Sequence, residues 1–443
     1  MAGRYKAYPE YKRFNSTWFD SLPSHWQSVS MKWITNLYAG GTPSKDNLSF
    51  WENGSIPWLN SGSVNQSVIK KPSAFITRDA FNNSSAKWIP KGSLVMALAG
   101  QGKTKGMVAQ LAIESTCNQS MAAIVPSQIV SPRFLFWWLT SNYQKIRNIA
   151  GGDLRDGLNL DLLGNISCPI FECKEQQKIA NFLDYETAKI DTLIAKQEKL
   201  IELLKEKRQA VISHAVSKGL SPDAPMKDSG VEWLGEVPEH WDVTKFGYIS
   251  QVVRGGSPRP AGDPELFNGD YSPWVTVAEI TKDDEIYLTE TETFLTKKGS
   301  LQCRVFTAGT LLLSNSGATL GVPSILSINA NANDGVVGFE NLKVNSEFAY
   351  FYLSSLTQGL RDRIKQGSGQ PNLNTDIVKG ISIPLPPSDE IEKIVEYIQK
   401  LRAHYRQLES KAIHGITLLK ERKTALISAA VTGKIDVRDW ESK

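Results

Sequence analysis

Apolar and polar residues divide the chain into two kinds of segment, which alternate twice. The first kind has short apolar runs between Gly, Pro, Asn and Ser, such as 93–98 and 309–314, and these runs predict strands bounded by turns. Apolar residues at helical spacing predict helices over 132–148 and 346–366. The mixture predicts α+β domains of about 150 residues.

The second kind is a long segment without internal proline, at 174–218 and again at 389–433. At 1.5 Å per residue each would form a helix about 60 Å long, more than one domain needs for its own core. We therefore expect the two helices to pack against each other as an antiparallel coiled coil that separates the domains. The expected heptad seam, also the candidate surface for protein partners, consists of Leu183, Ile190, Leu193, Leu200, Leu204, Val211, Ile398, Tyr405, Leu408, Leu419 and Leu426.

The chain is an internal repeat with an offset of 215 residues. Residues 166–216 and 381–431 share 19 identities in 51 positions, whereas 59–89 and 274–304 share one. One part of each copy is therefore alike and another part differs. The residues that recur at this offset include Trp18, Pro23, His25, Trp26, Gly40, Gly41 and Pro43, which reappear as Trp233, Pro238, His240, Trp241, Gly255, Gly256 and Pro258.

These patterns predict an α+β fold with two pseudo-symmetric globular domains separated by an antiparallel coiled coil of two long helices. The predicted segments are a first domain at 1–173, a long helix at 174–218, a linker at 219–234, a second domain at 235–388, a second long helix at 389–433 and a C-terminal tail at 434–443.

Composition narrows the class of protein. With 41% hydrophobic and 22% charged residues in 443, the chain is globular rather than disordered. A net charge of +4 is only mildly basic, so charge alone does not indicate a nucleic-acid partner. The sequence has neither a long apolar run nor the apolar core of a signal peptide, and we expect a cytoplasmic protein without membrane contact.

Catalytic motifs are missing. Residues 97–104 end like a phosphate-binding loop, but Ala97 replaces the first glycine, and the second copy at 317–319 has no lysine. The single Pro-Pro pair, at 386–387, lacks the neighbours of an adenine methyltransferase loop. Four cysteines without a CxxC pair do not indicate a zinc site. We therefore predict no catalytic residue, no metal and no cofactor in this chain.

A Pro-x-His-Trp motif occurs in both copies, at 23–26 and 238–241. A repeated histidine could be catalytic, but we interpret the tryptophan as a core residue and the histidine as a group that hydrogen-bonds locally. The motif is then part of the fold rather than of an active site.

Two similar domains that differ in one region suit a linear ligand with two unlike parts. Double-stranded DNA fits, because half-sites about one helical turn (~34 Å) apart, or a multiple of it, can meet two related domains. The shared loops and basic residues would contact the phosphates, and the divergent segments would reach base edges. The candidate DNA-binding residues are Gly41, Thr42, Lys45, Asn60, Asn65, Gln66, Lys70, Lys71, Arg78, Lys103, Lys105, Arg155, Arg254, Ser257, Arg259, Thr276, Lys282, Lys297, Lys298, Arg304, Thr319, Gln370 and Asn372.

Two alternatives stay open at this point. One is a duplicated coiled-coil adaptor that binds protein partners rather than DNA. The other, a nuclease or methyltransferase acting alone, is disfavoured by the missing motifs.

The chain resembles the specificity (S) subunits of type I restriction-modification systems. The marks are the opening Trp-Leu-Gly-x-x-Pro-x-His-Trp, complete at 233–241 and degenerate at 18–26, the Gly-Gly-Thr/Ser-Pro turns at 40–43 and 255–258, and the segments 316–321 and 370–374. The resemblance implies two target-recognition domains, each reading one half of a bipartite asymmetric DNA site. It also implies that the helices recruit two methyltransferase (M) subunits and restriction (R) subunits, which hold the S-adenosylmethionine, ATP and Mg²⁺.

Overall fold

The computed structural model describes residues 5–100, 102–149, 157–317, 319–365 and 372–441. The chain forms two compact units, Met1–Glu198 with His414–Lys443, and Lys199–Ile413. Each unit contains one globular α+β domain and one half of each of two long helices, and each is described by itself.

The first domain is built on a five-stranded and a three-stranded sheet, with the strand orders β4-β11-β8-β9-β6 and β10-β5-β7, and two short two-stranded ladders, β1-β2 and β12-β3. Its strands are β1 Tyr11–Arg13, β2 Ser21–Pro23, β3 Gln27–Ser30, β4 Thr35–Ala39, β5 Ile56–Leu59, β6 Val68–Ile69, β7 Ala74–Ile76, β8 Leu94–Ala97, β9 Val108–Leu111, β10 Thr116–Cys117, β11 Met121–Pro126 and β12 Ser167–Ile170.

Strand β8 is apolar throughout because both of its faces are covered. Side chains alternate between the two faces of a strand. Leu94 and Met96 belong to the main core of the domain, which includes the long helices, and Val95 and Ala97 belong to a second apolar cluster on the opposite face. The run predicted as a strand at 93–98 is therefore a buried central strand.

The helices of the first domain are α1 Arg78–Asn82, α2 Pro132–Ser141, α3 Tyr143–Asn148 and α4 Leu160–Gly164. The predicted helix 132–148 is two helices that meet at Asn142. Asn142 leaves the helical conformation, and its side-chain amide donates to the carbonyl of Trp138 at 3.0 Å. An asparagine whose side chain bonds the backbone of a preceding turn in this way competes with helix continuation.

The second domain has the same arrangement, with a five-stranded sheet β16-β24-β21-β22-β18, a four-stranded sheet β19-β17-β23-β20, and the pairs β13-β14 and β15-β25. Its strands are β13 Met226–Asp228, β14 Glu236–Pro238, β15 Asp242–Lys245, β16 Gln251–Arg254, β17 Phe267–Val275, β18 Tyr287–Leu288, β19 Phe294–Leu295, β20 Val305–Phe306, β21 Leu311–Ser314, β22 Pro323–Leu326, β23 Ala330–Ala332, β24 Val336–Glu340 and β25 Ser382–Leu385. Its helices are α6 Phe246–Ile249, α7 Val277–Ile280, α8 Lys297–Ser300, α9 Ser346–Lys365 and α10 Thr375–Gly380, and the two long helices are α5 Cys173–Lys218 and α11 Ser388–Val431.

In the first unit, the beginning of α5 packs antiparallel to the end of α11. The ammonium group of Lys423 lies 2.7 Å from the carboxylate of Asp191. Lys178, which precedes Asp191 in α5, donates to the carbonyl of Arg438, which follows the end of α11. Because the earlier residue of α5 meets the later residue of the other segment, the two run in opposite directions. Leu183, Ile190 and Leu426 are buried in the core, and Leu419 packs against it.

In the second unit, the end of α5 packs against the beginning of α11. Arg208 lies 3.8 Å from Glu409. Gly219 directly follows the last residue of α5. It lies beside the carboxylate of Glu390, near the start of α11. Ile398 is fully buried in this core. Apart from Leu200, the other seam residues of this unit are the buried Tyr405 and the half-buried Leu204, Val211 and Leu408.

The predicted seam is wrong at two positions. Leu193 and Leu200 are 47% and 43% exposed, and Ile194 packs against the core instead. A helix with 3.6 residues per turn drifts from a strict seven-residue repeat, and Gln197 interrupts the apolar pattern between the two leucines. The predicted class, an α+β fold with two pseudo-symmetric domains and an antiparallel coiled coil of two long helices, is confirmed.

Candidate nucleic-acid interface

A glycine loop at 40–43 follows β4 and lies against the segment 117–121, which joins β10 to β11. The backbone amides of Gly40 and Gly41 donate to carbonyls of this segment at 3.1 and 2.8 Å. Only glycine fits at position 40, because a Cβ there would lie 2.1 Å from the carbonyl oxygen of Cys117. Backbone contacts therefore hold the loop in place.

The second domain holds its own glycine loop, 255–258, in the same way. The amides of Gly255 and Gly256 donate to carbonyls of the segment 332–336, both at 2.9 Å. A Cβ at position 255 would lie 2.3 Å from the carbonyl oxygen of Asn333. The two loops are thus one structural device that occurs in both copies.

A side-chain hydrogen bond fastens each loop, but the acceptor differs. The Thr42 hydroxyl donates to Oε1 of Gln119 in the first domain. The Ser257 hydroxyl donates to Oδ1 of Asp334 at 2.7 Å in the second. The Ser257 hydrogen bond, aided by the nearby guanidinium of Arg254, lowers the pKa of Asp334 below its ordinary value. Equivalent positions therefore present an amide in one copy and a carboxylate in the other.

The first-domain loop forms one wall of an open cavity of about 470 Å³. The indole nitrogen of Trp51 donates to the carbonyl of Ser44, and that of Trp58 to the carbonyl of Gly41, each at 3.0 Å. These bonds hold the two rings in an edge-to-face pair with centroids 5.0 Å apart. The lining residues are Thr42, Lys45, Leu48, Trp51, Trp58, Asn60, Asn118, Gln119 and Ser120.

One polar atom in the wall of this cavity has no protein partner among the described residues. Oδ1 of Asn118 is buried and accepts no hydrogen bond from the described residues. The backbone N–H of the same residue donates to the carbonyl of Leu59 at 2.9 Å. A buried acceptor without a partner is costly, and native proteins contain few. The cavity thus combines apolar indole rings with a buried acceptor that has no partner among the described residues.

The structure brings together only some of the candidates from the first domain. Those that line this cavity are Thr42, Lys45 and Asn60, whereas Asn65 and Lys103 line a separate cavity of about 360 Å³. Gly41 is buried and contributes through its backbone. Apart from Lys105, the remaining described candidates are the exposed Gln66, Lys70, Lys71 and Arg78. Arg155 lies outside the described residues.

The prediction that Lys105 contacts DNA is wrong. Its side chain is 3% exposed, so it cannot reach a duplex on the surface. The amide of Gly106 donates to the carbonyl of Ala97 at 2.8 Å, which draws this turn against the end of β8. The lysine is therefore part of the interior rather than of the interface.

Several basic candidates of the second domain already have acidic partners. Lys282 pairs with Glu292 at 2.8 Å, Lys298 with Glu265 at 2.6 Å, and Arg304 with Glu340 at 2.7 Å. Arg254 donates to the carbonyl of Asp334 at 2.7 Å. The other described candidates are the exposed Arg259, Lys297 and Asn372 and the half-buried Ser257, Thr276 and Thr319. Gln370 lies outside the described residues.

Sequence reasoning missed the residues opposite the glycine loops. Gln119 and Asp334 stand at the repeat offset, as do their neighbours Asn118 and Asn333. The polar pair Asn-Gln or Asn-Asp after a short strand was the available signal. These residues lie outside the segments 59–89 and 274–304, so the low sequence identity between those two segments did not point to them.

Among the described residues, no helix is long and apolar enough to cross a membrane. The fold and the two fastened loops define a duplicated recognition protein, in which one scaffold carries two unlike surfaces. A family model for the type I restriction modification DNA specificity domain matches residues 23–203 and 238–418. The chain belongs to this family, and its function is DNA sequence specificity.

Two relatives agree with this membership, and a solved structure has a similar fold. The chain is 21% identical over 439 residues to the type I restriction enzyme StySPI specificity subunit of Salmonella potsdam, covering 95% of this chain and 91% of the relative. It is 31% identical over 164 residues to the EcoR124I/EcoR124II specificity subunit of Escherichia coli, covering 36% of this chain and 39% of the relative. A chain from a structural study of type I R-M complex assembly and conformational transition matches with a TM-score of 0.73 at 16% identity, over 94% of this chain and 99% of that one.

Proposed function

We propose that each domain reads one half of a bipartite, asymmetric site on double-stranded DNA. The long helices recruit two methyltransferase subunits and the restriction subunits, and the complex acts in the cytoplasm. The chain positions these partners and does no chemistry of its own. S-adenosylmethionine, ATP and Mg²⁺ are held by the partner subunits.

The observation that carries this proposal is the pair of fastened loops. Both copies place a glycine loop and a polar turn at the same position, but the acceptor is Gln119 in one and Asp334 in the other. A shared backbone with unlike polar groups suits two domains that dock on DNA alike and read different bases.

The domains must also bind tightly enough for methylation. The partner methyltransferase has to take its target base out of the stack, which costs a few kcal/mol. Binding by both domains at once supplies affinity toward that cost. The exposed candidates Lys70, Lys71, Arg78, Arg259 and Lys297 are the proposed phosphate contacts.

A domain-exchange experiment tests the two-part reading. We expect replacement of 59–89 by the corresponding segment of a relative to change one half of the methylated site and leave the other half unchanged. Exchange of 274–304 should have the reverse effect and serves as the matched control. Mapping of methylated adenines in cells that carry each variant gives the result, and variants that change both halves together would contradict the proposal.

Two further measurements test the DNA proposal and the spacing role of the helices. Phosphate contacts release counterions, so affinity for the cognate site should fall steeply as salt rises in a gel-shift titration. A salt-independent complex, or none, would favour the protein adaptor. Shortening 174–218 and 389–433 by the same number of heptads should change the spacing between the two halves of the site, and an unchanged spacing would contradict the role of the helices as a spacer.

A further inference from the structure

The cavity beside the first glycine loop presents hydrogen-bond donors. Oε1 of Gln119 accepts from the Thr42 hydroxyl, and Oδ1 of Asn60 accepts from the backbone N–H of Gly62 at 2.9 Å. With both oxygens engaged, each amide turns its NH₂ group away from that bond. Within the described part of the chain, neither NH₂ group has a hydrogen-bond acceptor.

Lys45 adds a third donor at the rim of the same cavity. Its side chain is exposed and pairs with no carboxylate among the described residues. Asn118 contributes a buried acceptor at the cavity wall that has no partner among the described residues. The rings of Trp51 and Trp58 form the apolar wall between these polar groups. The cavity therefore suits a planar group with an acceptor-rich edge.

Among the bases, this donor set fits guanine. In the major groove, guanine presents two acceptors, N7 and O6, whereas adenine presents one acceptor and one donor. An asparagine or glutamine reads adenine through both its oxygen and its nitrogen, and here one lone pair of each amide oxygen is already used by the hydroxyl of Thr42 or the backbone N–H of Gly62. With adenine, one of these NH₂ groups would face the N6 amino group, which is itself a donor.

We propose that Gln119 and Asn60, with Lys45, read a guanine in the half-site of the first domain. This inference rests on the proposed function and names the residues through which one domain would perform it. The three donating groups, which are the two NH₂ groups and the Lys45 ammonium, take no part in holding the loop, because backbone bonds of Gly40 and Gly41 and the Thr42 hydrogen bond to Oε1 of Gln119 do so.

The second domain provides an internal contrast. Asp334, at the position of Gln119, offers a carboxylate, which accepts and does not donate. Carboxylates read cytosine through its N4 amino group. The position 119/334 thus reverses its hydrogen-bonding character between the copies, as expected for a residue that distinguishes two half-sites.

Two isosteric substitutions test the proposal. Gln119→Glu and Asn60→Asp keep the oxygen that accepts from Thr42 or Gly62 and replace the donating NH₂ with a second carboxylate oxygen. The full chain, assembled with its partner subunits, is used to select bound sequences from a pool in which the site is randomised. We expect the preference for guanine at one position of one half-site to fall about tenfold or more, with the other half-site unchanged.

Gln144→Glu is the matched control, because it makes the same change at an exposed glutamine on α3 that does not line the cavity. It should leave the selected sequence unaltered. An unchanged guanine preference in both cavity variants would overturn the inference. So would a uniform loss of affinity with a reduced salt slope, which indicates a phosphate contact. If the unsubstituted protein selects no bipartite sequence, the proposed function fails as well, whereas a selected site without that guanine overturns the inference alone.

Discussion

The indole nitrogen of Trp26 donates a hydrogen bond to Oε1 of Glu175 at 3.0 Å, across 149 residues of the chain. The same bond recurs in the second copy, where Trp241 donates to Oε2 of Glu390 at 3.0 Å. Each glutamate lies in the first turn of a long helix. The repeated motif therefore ties the beginning of each domain to the helix that follows it.

The histidine beside each tryptophan joins the same contact. Nε2 of His25 lies 3.0 Å from the carboxylate of Glu175, and Nε2 of His240 lies 2.8 Å from the carboxylate of Glu390. The prediction that both tryptophans lie in the core is confirmed, since both are fully buried. The prediction that the histidines bond locally is wrong, because their partner is 150 residues away.

We expect Glu175→Gln to destabilise the first unit by about 1–3 kcal/mol, because the buried carboxylate also accepts from the Tyr8 hydroxyl, at 2.7 Å, and an amide cannot accept as many charge-assisted bonds. Hydrogen exchange measured by mass spectrometry should show faster exchange in peptides of that unit. Glu390→Gln is the control and should affect the second unit, by less, because that side chain is 24% exposed against 8% for Glu175. Equal loss of protection in both units from Glu175→Gln would contradict the prediction.

We expect an alanine substitution in the first glycine loop to have a larger effect than the equivalent substitution in the second. Gly41→Ala places a Cβ 2.4 Å from the backbone of Ser85, whereas the equivalent Gly256→Ala meets no atom within 4 Å. We expect the first to destabilise its domain by about 1–3 kcal/mol and to weaken DNA binding, and the second to be tolerated. Thermal unfolding and gel-shift titration of both variants provide the measurement. A pair of variants with equal stability would refute this account of the loop.

Lys297 and Lys298 are neighbours in α8 with different surroundings. Lys298 pairs with Glu265, whereas Lys297 has no carboxylate partner among the described residues. We expect Lys297→Gln to reduce the slope of log affinity against log salt concentration by about 0.9, the value for one phosphate contact. Lys298→Gln should reduce it by less, because its charge is already compensated. The proposed phosphate contact of Lys297 is refuted if its substitution leaves the slope unchanged.

Ser257→Ala should raise the pKa of Asp334 toward its ordinary value, because the Ser257 hydroxyl hydrogen-bonds the carboxylate. The pKa is lowered in the folded state, so its contribution to stability is present above the unfolded pKa and lost as the pH falls through the folded value. We therefore expect the wild type to resist urea better than Ser257→Ala above about pH 5, with a difference that shrinks in acid. A difference that grows in acid would contradict this sign.

In the divergent segments, the structure shows equivalent positions that a sequence comparison at one fixed offset does not find. Trp58 and Trp274 are the penultimate residues of equivalent strands, at an offset of 216 rather than 215. Thr77 caps α1 and Thr296 caps α8 through their side-chain oxygens, although they stand 219 residues apart. Small insertions thus shift the register between copies, and the fold tolerates them because loops lie at the surface. An ungapped comparison finds the divergence but not the structural equivalence within it.

Local patterns in the sequence determined the elements that depend on neighbouring residues. These are the two copies, the long helices, the buried strand β8 and the glycine turns, since helix and strand periods and the freedom of glycine act over a few residues. Only the tertiary structure decided which residues meet across long stretches of chain. Burial of Lys105, outward placement of Leu193 and Leu200, and the contact of Gln119 with the first loop depend on packing between distant segments, which no local pattern specifies.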